Sequence, residues 1–182
     1  MNNTVKMVIA AAMTMGVVAS ANAVNTGKVT FKGKIEESPC SIVVGDEDQT
    51  INMGHIGTGS LIGGKKTTAV SFHIGLQDCT FTDEKTMTTT FQGVGAIATQ
   101  DNLALMGVSG ELKGASLVIG DSAGNAKKLG DAISQKLILN SSGVGLATQQ
   151  ADFKAWLVGD TGGTSVDLGE FTSVANFQIE YQ

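Results

Sequence analysis

The chain has 182 residues, a formal net charge of −5, two cysteines, one proline and 24 glycines. It contains no arginine, and phosphate and base-edge recognition lean on that residue, so composition argues against nucleic-acid binding. An acidic surface argues equally against binding to anionic membranes.

The first 23 residues are set apart from the rest. Lys6 precedes an apolar run over 7–18, and Ala21-Asn22-Ala23 follows with small residues at cleavage positions. This pattern predicts a secretory signal peptide, 1–23, cut after Ala23. The run falls short of the roughly 20 residues a membrane span needs, and no later segment is long and apolar enough to insert. Cleavage would leave 159 residues, 24–182, enough for one domain with a core. It would remove one base, leaving eleven against 17 acids, a net charge of −6.

Next comes "TGKVTFKGKIEESPC", residues 26–40. Gly27, Val29, Phe31, Gly33 and Ile35 fall on one face, and Lys28, Thr30, Lys32 and Lys34 on the other. That is the alternation of a half-buried strand with a basic outer face. It pairs either within its own domain or with something else, and periodicity alone leaves both open.

Cys40 and Cys79 are the only cysteines. In an oxidising compartment an even pair most simply forms one disulfide. The two histidines, His55 and His73, lack metal-ligand spacing to either cysteine, so no metal site is expected.

From there the chain alternates short β-like runs with Gly, Asn, Asp and Ser clusters, which predicts an all-β sandwich or barrel. The predicted strands are 28–35, 40–45, 49–53, 68–79, 86–93, 103–107, 115–120, 134–140, 149–158 and 171–181. "TAVSFHIGLQDC" places Val70, Phe72, Ile74 and Leu76 on one face. "GDEDQ", "GDSAGNAKK", "NSSGVG" and "GDTGGTS" read as turns. No 3.6-residue period lasts long enough for a substantial helix, and no linker or internal repeat divides the chain.

Three stretches imitate chemical motifs. Asp160-Thr161-Gly162 has the form of an aspartic-protease loop, but that chemistry needs two carboxylates sharing a proton, and a turn is the simpler reading. "GVGAIA", 93–98, matches a dinucleotide fingerprint without the strand-to-helix context that gives it meaning. "DEDQTIN", 46–52, has Ile51 where a calcium loop needs glycine. No catalytic residue and no cofactor is expected.

The last run, "ANFQIEYQ", places Ala175, Phe177, Ile179 and Tyr181 on one face and Asn176, Gln178 and Glu180 on the other. "GKVTFKGKIEESPCSI", "DQTINMGHIG", "LQDC" and "FQIEYQ" together resemble the matching segments of rod subunits of chaperone–usher pili, the type 1 and P pili among them. The resemblance covers essentially the whole mature chain and includes a penultimate tyrosine, Tyr181, and a glycine fourteenth from the end, Gly169.

What the resemblance implies is an incomplete immunoglobulin-like sandwich, the pilin fold, lacking its last strand. Residues 24–37 would be an N-terminal donor-strand extension and 38–182 the pilin domain. Gly27, Val29, Phe31, Gly33 and Ile35 would enter the groove of a neighbouring identical or related subunit. Gly169, Phe177, Ile179, Tyr181 and the terminal Gln182 would serve the acceptor groove and the periplasmic chaperone that fills it before an outer-membrane usher. The protein would then be a non-enzymatic structural subunit of a fimbrium on the bacterial surface. Open beside this are a minor adaptor or terminator of such a pilus, a tip adhesin, which would carry a further lectin domain, and a self-contained secreted β-sandwich binding module.

Overall fold

A computed structural model describes residues 27–182, and the expected signal peptide lies outside the described residues. The chain divides between Glu36 and Glu37 into two units. In the first, residues 27–36 carry no strand assignment and every side chain is exposed. The predicted strand 28–35 is therefore not formed here. A strand is defined by its ladder, and alternation alone supplies no hydrogen-bonding partner.

The second unit is built from ten strands. They are β1 (Ser41–Ile42), β2 (Val70–Gln77), β3 (Thr86–Gly93), β4 (Met106–Gly107), β5 (Gly110–Glu111), β6 (Ala115–Asp121), β7 (Ala126–Lys127), β8 (Ala132–Lys136), β9 (Gln149–Gly159) and β10 (Ala175–Tyr181). One short 3₁₀ turn spans Thr58–Ser60. The larger sheet runs β1-β2-β9-β6-β7, the smaller β10-β3-β8, and β4 and β5 form a separate ribbon. Every ladder is antiparallel.

Alternation becomes packing where the two sheets meet. Phe72 of β2 lies opposite Phe153 of β9 in register, with ring centroids 5.4 Å apart. Phe91 of β3 enters from the smaller sheet and meets Phe153 edge-on at 5.0 Å. Ile74, Leu76, Met87, Ile133 and Leu157 complete the fully buried interior. Aromatic pairs of this geometry add about 0.5–1.5 kcal/mol beyond their buried area.

β9 departs from alternation after Phe153, because Trp156 is buried on the opposite face to Ala155 and Leu157. Lys66 lies over its ring at 5.9 Å. Gly120 on β6 makes this possible, since a Cβ there would sit 2.7 Å from the indole edge. The disulfide joins Cys40 and Cys79, tying the start of the domain to the end of β2.

Several predicted strands are shorter or shifted. The run 40–45 contracts to β1, 103–107 to β4 with an isolated bridge at Leu103, and 134–140 moves back to β8. The run 49–53 carries no strand assignment, although Ile51 and Met53 are half-buried and Asn52 is exposed. Its side chains alternate as predicted, but it lies beside no ladder partner. β5 and β7 have two residues each, too short for any periodicity to show. Asp160–Gly163 is a turn closed by the Gly163 amide donating to the Asp160 carbonyl at 2.9 Å.

Truncating Phe153 to alanine removes the ring shared by both sheets and should cost about 3–5 kcal/mol. Denaturant unfolding of the chain with its groove filled measures this. A loss below about 1 kcal/mol would contradict the interlocking described above.

Candidate functional site

The site is the outer side of β10. This strand ends the smaller sheet and, among the described residues, pairs only with β3. The Gln182 amide donates to the Thr86 carbonyl, and the Thr86 amide donates back to the Gln182 carbonyl, both at 2.9 Å. In an antiparallel ladder such exchanging pairs alternate with non-bonded ones. Residues 176, 178 and 180 therefore spend their backbone groups on β3. Ala175, Phe177, Ile179 and Tyr181 turn theirs to the open side.

The same four residues point their side chains inward. Each is half-buried and rests against the core cluster. Phe177 lies 6.3 Å from Phe91, and Tyr181 lies 5.8 Å from Phe81. Apolar side chains and unpaired main-chain groups are thus presented along one line. A strand laid there would bury the first and satisfy the second.

The larger sheet is open as well. β1 reaches only to the Ile42–Leu76 pair, so residues 70–74 of β2 have no strand on their outer side. Phe72 is accordingly half-buried, as are Ile42, Met53 and Ile56, all against the same core. The core is sealed by β9 and β6 within the larger sheet and left incomplete beside residues 70–74 of β2 and where β10 ends the smaller sheet.

Of the predicted site residues, the structure brings Phe177, Ile179, Tyr181 and Gln182 together on β10 and its end. The Gln182 carbonyl also accepts from the Lys85 amide at 2.7 Å, so the chain end is already cradled by two backbone amides. Gly169 stands apart, exposed in the loop before β10, with φ +153° and Leu112 methyls 3.7–3.8 Å from where a Cβ would be. Cys40 and Cys79 are joined. Val29, Phe31 and Ile35 are 76, 90 and 102 % exposed. Gly27 and Gly33 lie in open space on the same unit.

Sequence reading did not single out Phe72, Phe81 or Ala175 for the site. Alternation placed Phe72 and Ala175 on inward faces, but only the sheet order shows that these faces are left uncovered.

Residues 29–182 match the family described as fimbrial protein. The chain is 40 % identical to the fimbrial-like protein YfcV of Escherichia coli strain K12, over all of both chains. It is 38 % identical to Fimbria A protein of Serratia marcescens, over 97 % of this chain and 98 % of that one. A solved chaperone–usher pilus structure, reported for what it reveals of rod uncoiling, superposes with a TM-score of 0.70 at 25 % identity, covering 87 % of this chain and 96 % of that one.

The chain belongs to the fimbrial protein family, and its fold is the open, incomplete immunoglobulin-like sandwich of a chaperone–usher pilus subunit. It is a structural subunit of an extracellular fimbrium, exported through the periplasm, in which such subunits polymerise with one another. No helix among the described residues is long and apolar enough to cross a membrane.

Tyr181 is the only tyrosine, and it reports on the site directly. Partial burial pushes its phenol above the ordinary value, with a hydrogen bond to Ser38 acting in the opposite sense. An acid whose pKa rises on folding contributes stability fully present below its unfolded value, about 10, and lost as pH climbs through the folded value. Tyrosinate absorbance of the native subunit should therefore turn on above pH of about 10, and at higher pH still once the groove is filled. A midpoint unchanged by groove filling would place Tyr181 outside the site.

Proposed function

We propose that the open edge of β10 is an acceptor groove for the N-terminal segment of another subunit. The observation that carries this reading is the pairing of two incomplete surfaces in one chain. β10 presents inward apolar side chains and unpaired backbone groups along one edge. Residues 27–35 present an alternating apolar face with no burial of its own. β-augmentation joins such surfaces through main-chain bonds, with alternate side chains seated in pockets.

In this reading residues 1–23 are removed on export, 24–37 form the donor extension, and 38–182 form the domain. Val29, Phe31 and Ile35 are the knobs, each contributing roughly 1.5–3 kcal/mol when buried, and each new main-chain bond adds about 1 kcal/mol. Gly33 lies inward where backbone must approach closely, and Gly27 extends the face without adding burial. Lys28, Lys32 and Lys34 face outward over an acidic neighbour, a modest and salt-screened attraction.

Before assembly, a periplasmic chaperone fills the same groove and reads the chain end near Gln182. An outer-membrane usher is where a subunit's extension replaces it. The role is mechanical, with no catalytic, cofactor or metal residue. The interface is heterologous, so it generates an open filament.

Two experiments test this. The domain without residues 24–36, expressed without a chaperone, should aggregate or be degraded, because unpaired edge and apolar surface are exposed. Its purification as a stable soluble monomer would defeat the incomplete fold. Gly33→Asn should leave chaperone binding intact yet block fibre growth, since overpacking the seat costs roughly 1–3 kcal/mol and buries an unpaired amide. Lys32→Asn, one residue away on the outer face, should assemble nearly normally. Normal fibre yield from Gly33→Asn would remove the donor assignment. A lowered melting temperature of its chaperone complex would instead indicate that 28–35 completes its own domain.

A further inference from the structure

Two exposed apolar patches lie at opposite ends of β10. At its start, Val94 and Val174 are the next positions beyond the Gly93–Ala175 pair and are 63 and 65 % exposed. Met106, bridged to Thr172, and Val108 in the β4–β5 turn extend this patch, with Leu168 from the preceding loop also exposed.

At the other end, the chain between β8 and β9 forms a small hairpin. Leu139 bridges Gly145, and the Asn140 amide donates to the Val144 carbonyl at 2.8 Å. Ile138, Leu139, Val144 and Leu146 are exposed or half-exposed on it. The Lys85 ammonium donates to the Gly143 carbonyl at 2.7 Å, and the Lys85 amide holds Gln182. The hairpin therefore stands at the Tyr181 end of the groove.

The start of the domain stands at that same end. The Thr80 amide donates to the Pro39 carbonyl, the Cys79 amide to the Ala147 carbonyl, and Cys40 is bonded to Cys79. So the hairpin and the point where the extension joins its domain are neighbours.

We propose that these two patches form a second contact between successive copies, the hairpin of the donating copy seated on the Val94–Met106–Val174 patch of the accepting one. The inference rests on the donor-strand reading above. Four residues separate Ile35 from Cys40, and the five steps between them span at most about 17 Å, so a donor strand in the groove holds its own domain close to the groove's end. Which end follows from strand direction. All seven ladders of the domain are antiparallel, and that pairing is slightly more stable per residue. At the Tyr181 end the accepting copy's own residues 38–40 and hairpin already stand, whereas the Ala175 end presents the exposed side chains of Val94, Val174 and Met106. An antiparallel donor puts Ile35 at the Ala175 end. The donating domain then presents its Cys40 end, and with it the hairpin, to the patch. The occupant is a second copy, the surfaces are continuous with the groove, and the contact is head-to-tail, as an open filament requires.

Engineered cysteines test this, since the described residues hold no free thiol. Chains carrying Val174→Cys with Leu139→Cys, and separately Met106→Cys with Val144→Cys, are assembled into fibres and oxidised. The dimer band that resists SDS without heating holds one donor and one acceptor. It is cut out and boiled without reductant. Expected is a covalent dimer from the paired variants, and collapse to monomer from each single variant. A dimer surviving from Leu139→Cys alone would show like ends meeting and overturn the proposal. Collapse of both paired variants, with SDS-resistant dimers present beforehand, would overturn it while leaving the donor strand standing. Absence of SDS-resistant dimers from the unaltered chain would instead defeat the donor-strand reading, and this inference with it.

Discussion

The unpaired edge of β10 is the constraint on which the rest of the structure depends. Four residues there, Ala175, Phe177, Ile179 and Tyr181, carry both an inward apolar side chain and outward unpaired backbone groups. Natural sheets blunt such edges with proline, inward charges, bulges or a covering segment. Among the described residues this strand has none of those devices: its seven residues form a regular ladder with β3 and leave the other side open. An edge so undefended is a liability for a solitary domain and a specific socket for a polymer. Fimbrial membership supports the second of these uses.

The interior makes that socket more than a surface feature. Phe153, Phe91 and Phe177 form a path of rings from the deepest core to the groove, with centroids 5.0 and 6.3 Å apart. Phe72 meets both Phe153 and Phe91 while remaining half-buried at the open side of β2. A knob seated on Phe177 therefore completes packing that the two sheets began. In the proposed donor-strand reading, filling the groove and consolidating the core are one event, so strand insertion should stabilise the whole domain and not merely its rim.

Much of this was legible in the sequence, and the limit falls where local pattern ends. β2 and β10 alternate throughout and β9 does so as far as Phe153, so the existence of these long strands and their inward faces are legible directly. The expected run 86–93 coincides with β3 at both ends. Residues 28–35 alternate as a strand does and carry no strand assignment in the single chain. Residues 49–53 alternate likewise yet have no ladder, because hydrogen-bond partners are a property of sheet order. The shift of 134–140 to β8 has a similar origin, since Leu139 turns back to bridge Gly145 and form the hairpin. Which edge stays open could not come from periodicity at all, and there the resemblance to pilins supplied what the residues alone left undecided.

Gly169 shows the opposite limit, a residue singled out by resemblance whose local geometry points elsewhere. It lies in the loop before β10, exposed, with a positive φ and Leu112 close by. Its demand is conformational: a side chain at that backbone angle is strained whatever space surrounds it. The loop it bends runs from the Asp167–Lys113 backbone bond to the Thr172–Met106 pair, where β10's approach is set. Gly169 thus shapes the course of the chain leading into β10 and does not line its edge. Phe177, Ile179 and Tyr181 act by contact. The two kinds of residue are indistinguishable in a motif, and the fold separates them because only one kind lies on the open edge strand β10.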